Sequence, residues 1–200
     1  MYMCRFERAL PIYARRTDIL EALSSNRICV VVGETGSGKS TQLVQYAHAA
    51  GFGTIVCTQP RKVAALSLSK RVASEMGDKT GLVGTRVGAQ SRTRHTAKLL
   101  FMTDHILLSD CLRDPLFSKY SLIFVDEAHE RSIFTDLLLG FLKKALAERL
   151  NCLNEECYYY YYYYNRFTAL WFSFGTNWVS WHQKGKTRKV KPTWIYWSKR

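Results

Sequence analysis

The chain has 200 residues and a formal net charge of +13, from 29 Lys and Arg against 16 Asp and Glu. That length supports one domain with a real hydrophobic core but not two large ones, and an apolar fraction of 47% excludes a wholly disordered chain. The basic balance points to an anionic partner, nucleic acid before a membrane surface.

In chain order, short β-rich runs alternate with longer helical patterns. Thr17 and Asp18 can cap a helix through Ile19, Leu20 and Leu23. Ile28 to Val32 is a continuous apolar run, as expected of a strand buried on both faces. A glycine-rich turn from Gly33 to Lys39 comes next, then a helix from about Ser40 to Ala50. Thr54 to Thr58 reads as a second strand, ended by Pro60. Helical spacing runs from Val63 to Met76, with Ala64, Leu68, Val72 and Met76 on related faces. Leu82 to Val87 and Lys98 to Met102 are further strand candidates, and Asp104 to Leu112 reads as a short helix. Ser121 to Val125 is another buried strand, and Phe134 to Leu150 a strongly amphipathic helix. Strands alternating with helices predict an α/β fold with a mostly parallel sheet.

After Glu156 the pattern stops. Tyr158 to Tyr164 is a run of seven tyrosines, and the residues beyond it mix Trp, Lys and Thr without a clear period. Residues 1–157 carry 21 basic and 16 acidic side chains; residues 158–200 carry 8 basic and none acidic, with all five Trp. The expected organisation is therefore an α/β domain over 1–157 and an aromatic, basic, low-complexity tail over 158–200 with little fixed order. The stretch from Tyr158 to Trp181 is interrupted by Asn165, Arg166 and Asn177 and does not read as a membrane span. The six cysteines (Cys4, Cys29, Cys57, Cys111, Cys152 and Cys157) form no C-x-x-C pair, which argues against zinc. There is no signal-peptide pattern, so the chain reads as a reduced, intracellular protein of nucleus or cytoplasm.

Gly33-Glu34-Thr35-Gly36-Ser37-Gly38-Lys39-Ser40 matches G-x-x-x-x-G-K-[ST] in full, after a buried strand and at the start of a helix. Glycines let the backbone curl so that several N–H groups point at phosphate oxygens, and the helix N-terminus adds its dipole. Lys39 can reach the β and γ phosphates, and the Ser40 hydroxyl can ligate Mg²⁺. Thr35 and Ser37 are expected to contribute backbone only. Leu122 to Val125 ends in Asp126-Glu127, a carboxylate pair at a strand tip. Asp126 can hold Mg²⁺, and Glu127 can orient or deprotonate an attacking water.

With Asp126-Glu127-Ala128-His129-Glu130-Arg131, the sequence resembles the DEAH-box RNA helicases of superfamily 2 over roughly residues 10–150. Gly33 to Thr41 looks like motif I. Thr58-Gln59-Pro60-Arg61-Lys62-Val63-Ala64-Ala65 resembles motif Ia, and Thr103-Asp104-His105 stands at motif Ib, where the family has Gly in place of His105. The resemblance implies a RecA-like domain that binds ATP and Mg²⁺ and couples hydrolysis to single-stranded RNA or another nucleic acid, with protein activators as further partners. It implies RNA contacts at Gln59, Pro60, Arg61, Lys62 and Thr103, a linking role for His129, and a nucleotide contact for Arg71, which an exposed helix Arg explains nearly as well. The alternative is a non-catalytic fragment that binds nucleotide, RNA or a helicase partner without unwinding. A metabolic kinase would not require the Asp126 to Arg131 run.

The family continues with a Ser-Ala-Thr strand, a second RecA-like domain with arginine fingers, and further modules, none recognisable here. Without the Ser-Ala-Thr strand, Ile28 to Val32 would become a sheet edge, and the expectation is that part of Tyr158 to Tyr164 fills the slot. Three readings of the tail stay open: an alternative or untemplated end, an aromatic and basic nucleic-acid arm, and a solvated or membrane-surface segment.

Overall fold

The computed structural model describes residues 9–34, 36–88, 90–151, 168–173 and 193–196. The expected α/β fold is what the chain adopts. A 3₁₀ turn over Pro11–Arg15 leads into α1 (Arg16–Ser25), then β1 (Ile28–Val32), α2 (Lys39–Ala49), β2 (Ile55–Gln59) and α3 (Lys62–Glu75). Next come β3 (Val83–Val87), β4 (Gln90–Arg92), β5 (Leu99–Thr103), α4 (Asp104–Cys111), β6 (Leu122–Val125) and α5 (Ile133–Asn151), with a 3₁₀ turn over Ala128–Glu130 between the last two. Two later strands, β7 (Thr168–Ser173) and β8 (Thr193–Tyr196), complete the described elements.

The strands form one sheet in the order β4-β3-β5-β2-β6-β7-β1-β8. Every pairing is parallel except the β3–β4 hairpin. The side-chain period of two splits the core into halves. Ile55, Cys57, Leu99, Phe101, Leu122 and Phe124 pack with Ile19, Leu23, Leu43 and Val72 on one face. Val56, Met102, Ile123 and Val125 pack with Leu107, Leu138, Leu142 and Leu146 on the other. Helices α1, α2 and α3 thus cover one side and α4 and α5 the other, which is why β1 and β6 are apolar at every position. All four residues of β6 are fully buried, so the strand that carries Asp126 is anchored from both faces.

Three expectations change. The slot between β6 and β1 is filled by β7, with Val30 opposite Trp171 and Phe124 opposite Leu170. Tyr158 to Tyr164, expected there, lies outside the described residues, and a slot already holding Thr168–Ser173 has no room for a second strand. β1 is also not an edge, because β8 pairs with its other side. Finally, α5 is apolar around much of its circumference: Leu138 and Leu142 are buried, while Ile133, Phe134 and Leu137 are exposed. No helix among the described residues is long and apolar enough to cross a membrane.

Candidate nucleotide-binding site

In a parallel sheet the strand ends of one sense share an edge, and ligands bind outside the carboxyl ends. Here the carboxyl ends of β1, β2, β5 and β6 lead into the glycine-rich loop, Pro60-Arg61, Asp104 and Asp126-Glu127 respectively. The topology therefore collects segments as far apart in sequence as Gly33 and Asp126 at one edge.

The loop after β1 turns by left-handed backbone at Gly36 (φ +77°) and Gly38 (φ +94°). Gly38 is the N-cap of α2, and its carbonyl accepts the Gln42 N–H at 2.8 Å. The turn at Pro11–Arg15 lies against the loop, where the Ile12 N–H donates to the Ser37 carbonyl at 3.2 Å. Thr35 lies outside the described residues. Thr41 is buried and its hydroxyl donates to the Gly38 carbonyl at 3.3 Å. Ser40 is half-buried in the first turn of α2.

Lys39 is buried, and its ammonium donates to the Gly33 carbonyl at 2.7 Å, the Glu34 carbonyl at 2.6 Å and Ser37 Oγ at 3.1 Å. Burial pulls this amine down to about 8, while the charges of Asp126, Glu127 and Glu34 hold it up. Ser37 thus has a side-chain role that its place in the motif does not show.

Asp126 is buried at the tip of β6. Its Oδ1 accepts the Glu127 N–H at 2.9 Å, and its Oδ2 accepts Gln59 Nε2 at 2.5 Å. Glu127 is held in the left-handed region (φ 52°), a conformation that costs a non-glycine residue about 1–2 kcal/mol. Burial and then the neighbouring Asp126 charge push its carboxyl up, the direction that suits a base. His129 Nδ1 stands 3.4 Å from Glu127 Oε2.

The segments expected to meet RNA divide into two sets. Arg61 is well exposed and pairs with Glu130 at 2.9 Å; Lys62 is exposed and Pro60 half-buried. Gln59 and Thr103, which are opposite each other in the β2–β5 register, are only 2% and 5% exposed. Gln59 has almost no surface to offer a strand of RNA, and its amide faces Asp126 instead. Arg71 donates to Glu75 at 2.9 Å, and the same carboxylate accepts from Gln42 and Gln45 of α2. That seam between α2 and α3 accounts for Arg71 without a nucleotide.

One network has no signal in the sequence beyond single hydroxyls. Asp104 is buried at the start of α4, and its carboxyl is pushed up by burial against the hydroxyls of Thr135 and Thr58. Thr135 Oγ1 donates to Asp104, so Ser132 must donate in the 2.6 Å contact with Thr135. His105 is exposed, and its ring meets Phe134 edge-on at 5.0 Å.

Comparison with known proteins agrees with this geometry. Residues 21–157 match the AAA domain family. The pre-mRNA-splicing factor ATP-dependent RNA helicase prp22 of Schizosaccharomyces pombe is 48% identical over 145 residues, which is 70% of this chain and 12% of that relative.

Proposed function

Because the chain belongs to the AAA domain family and follows β6 with Asp126-Glu127-Ala128-His129, we propose that it serves as the ATP-binding and ATP-hydrolysing core of a DEAH-box RNA helicase. The observation that carries the reading is the convergence at one site of Lys39 and the Asp126 and Glu127 carboxylates. Lys39 already donates to two loop carbonyls and Ser37, and phosphate oxygens would take over those donors.

The donor set fits a Mg²⁺-nucleotide. Left-handed turns at Gly36 and Gly38 curl the loop that would cradle the phosphates, and a Cβ at Gly38 would crowd Leu10, Ile12 and Gln42. Ser40 and Asp126 would hold the ion, and each Asp126 oxygen keeps a lone pair beyond its present donor. When bound, Mg²⁺ supplies charge neutralisation across the phosphates. Gly33, Gly36, Ser37, Gly38 and Thr41 shape the phosphate loop. Glu127 takes the proton of the attacking water, and His129 orients it.

Arg61, Lys62 and Pro60, which keep surface at this edge, are proposed to meet the phosphate backbone of single-stranded RNA, with Arg61 exchanging Glu130 for phosphate. The core in this reading takes residues 1–157 together with β7 and β8 of the same sheet, and the protein works in nucleus or cytoplasm. The chain spans 12% of the length of the helicase relative. One further reading is a module that binds nucleotide and RNA without turnover.

The test is ATP turnover by the full chain, with and without poly(U), beside Lys39→Ala. Turnover above background that rises with RNA and vanishes in the variant supports the hydrolase. Lys39-dependent nucleotide binding without turnover supports the binding module. Binding that is indifferent to Lys39 overturns both.

A further inference from the structure

Gln59 stands in the segment where RNA contacts are expected, yet its surroundings are those of the nucleotide site. It ends β2 on the face shared by Ile55 and Cys57, and it is 2% exposed. A carboxylate only accepts hydrogen bonds, so the amide nitrogen is the end of Gln59 that meets Asp126. That contact is 2.5 Å long, and a second N–H lies 3.9 Å from Cys57 Sγ. The other Asp126 oxygen takes the Glu127 backbone N–H. That backbone donor persists whatever residue stands at 127. Among the described residues, Gln59 is therefore the side chain that fixes the rotation of the Asp126 carboxylate.

We propose that Gln59 is a positioning residue for the metal carboxylate, rather than an RNA contact. It holds Asp126 so that the remaining lone pairs face the ion carried by the bound nucleotide. Partners of this kind orient a metal-binding side chain, and their loss commonly weakens metal affinity ten- to a hundred-fold. The placement has a second consequence. Gln59 is bonded directly to Pro60, whose neighbour Arg61 pairs with Glu130. Displacement of this backbone by a bound strand would reach Asp126 through one side chain. The inference rests on the nucleotide-site reading.

The experiment measures binding of a fluorescent ADP analogue by the full chain as Mg²⁺ is titrated from an EDTA baseline. Gln59→Met keeps the length and removes the donor. Its expected behaviour is native binding in EDTA, where the loop and Lys39 suffice, with the Mg²⁺ midpoint raised about ten-fold. Gln59→Asn, one methylene too short, keeps the site polar and is expected to share the defect; it serves if the Met variant does not fold. A lost fold would instead lower binding in EDTA and shift the thermal transition together. An unchanged Mg²⁺ midpoint in a folded variant overturns the positioning role while the nucleotide site stands. Absence of nucleotide binding by the native chain overturns both. Weakened RNA binding with an unchanged Mg²⁺ midpoint would return Gln59 to the RNA surface.

Discussion

Gly36 and Gly38 adopt the same left-handed backbone within one loop, but their surroundings differ. A Cβ on Gly36 would meet nothing within 4 Å, whereas one on Gly38 would stand 3.1 Å from Leu10, 3.2 Å from Ile12 and 3.3 Å from Gln42. Gly36→Ala therefore costs the backbone strain alone, about 1–2 kcal/mol. Gly38→Ala adds overpacking of about 1–3 kcal/mol, because Ile12 is tied to the loop through Ser37 and cannot give way freely. Urea unfolding of the two variants should separate them by at least about 1 kcal/mol. Equal midpoints would mean that the Pro11–Arg15 turn does not press on the loop. The glycine spacing is readable in sequence. The pressure from Leu10 and Ile12 is not, because it joins residues far apart along the chain. The same limit hides Gln59 from its true neighbour: its partner Asp126 lies 67 residues away, and Thr-Gln-Pro-Arg carries no mark of which side chain turns inward.

Asp78 shows how one side chain sets an element's start. Its carboxylate accepts the N–H groups of Thr80 and Gly81 at 2.9 Å and of Val83 at 2.8 Å, closing the turn that launches β3. Partial burial pushes the carboxyl up, but the N–H groups of Val83, Leu82 and Thr80 outweigh it and hold it at about 2. A folded-state value below the unfolded one means that the unfolded chain binds the proton first. The stabilisation is complete above the unfolded value near 4 and is lost as pH falls from there to about 2. Asp78→Asn should remove this acid-sensitive part. We expect about 1 kcal/mol less stability at pH 7, given the solvent exposure of the turn, and a flatter stability profile between about pH 5 and pH 2. Unfolding curves across that range check it, and an unchanged acid limb would mean that the turn closes without the charge. At this scale the sequence is most readable. The bounds of β1 are legible to the residue and those of most other long elements to within one or two, since buried strands and amphipathic helices differ in period. β4 escapes because Gln-Ser-Arg is too short and polar to carry a period.

At the scale of the molecule, the nucleotide loop hangs from a strand whose partners lie far along the chain. β1 pairs with β7 on one side and β8 on the other. The division suggested by composition, at residue 157, would separate β1 from both. Charge and aromatic content mark residues 158–200 as unlike the body, but they report composition and not pairing. Thr-Ala-Leu-Trp-Phe-Ser could be found only by asking what fills the slot beside β1. The structure therefore makes a definite statement about a chain ending at residue 157. Its β1 would keep the contacts of Cys29 and Val31 with the helices, but its backbone N–H and C=O groups would be unpaired along both sides. Such edges recruit other chains, so this shorter protein should elute as multimers where the full chain does not. It should also unfold without a sharp transition and bind the fluorescent ADP analogue about ten-fold more weakly or worse, because Gly33 and Lys39 lose their fixed anchor. Removing the tail also lowers the net charge from +13 to +5, so loss of RNA binding alone would show only that the basic residues attract phosphate. Nucleotide affinity is the informative reading, since the phosphate loop and Lys39 belong to the part that remains. A monomeric 1–157 chain with native nucleotide affinity would show that β7 and β8 add to a domain already complete. A multimeric, nucleotide-deaf chain would show that the sheet, and with it the site, is built from both parts of the sequence.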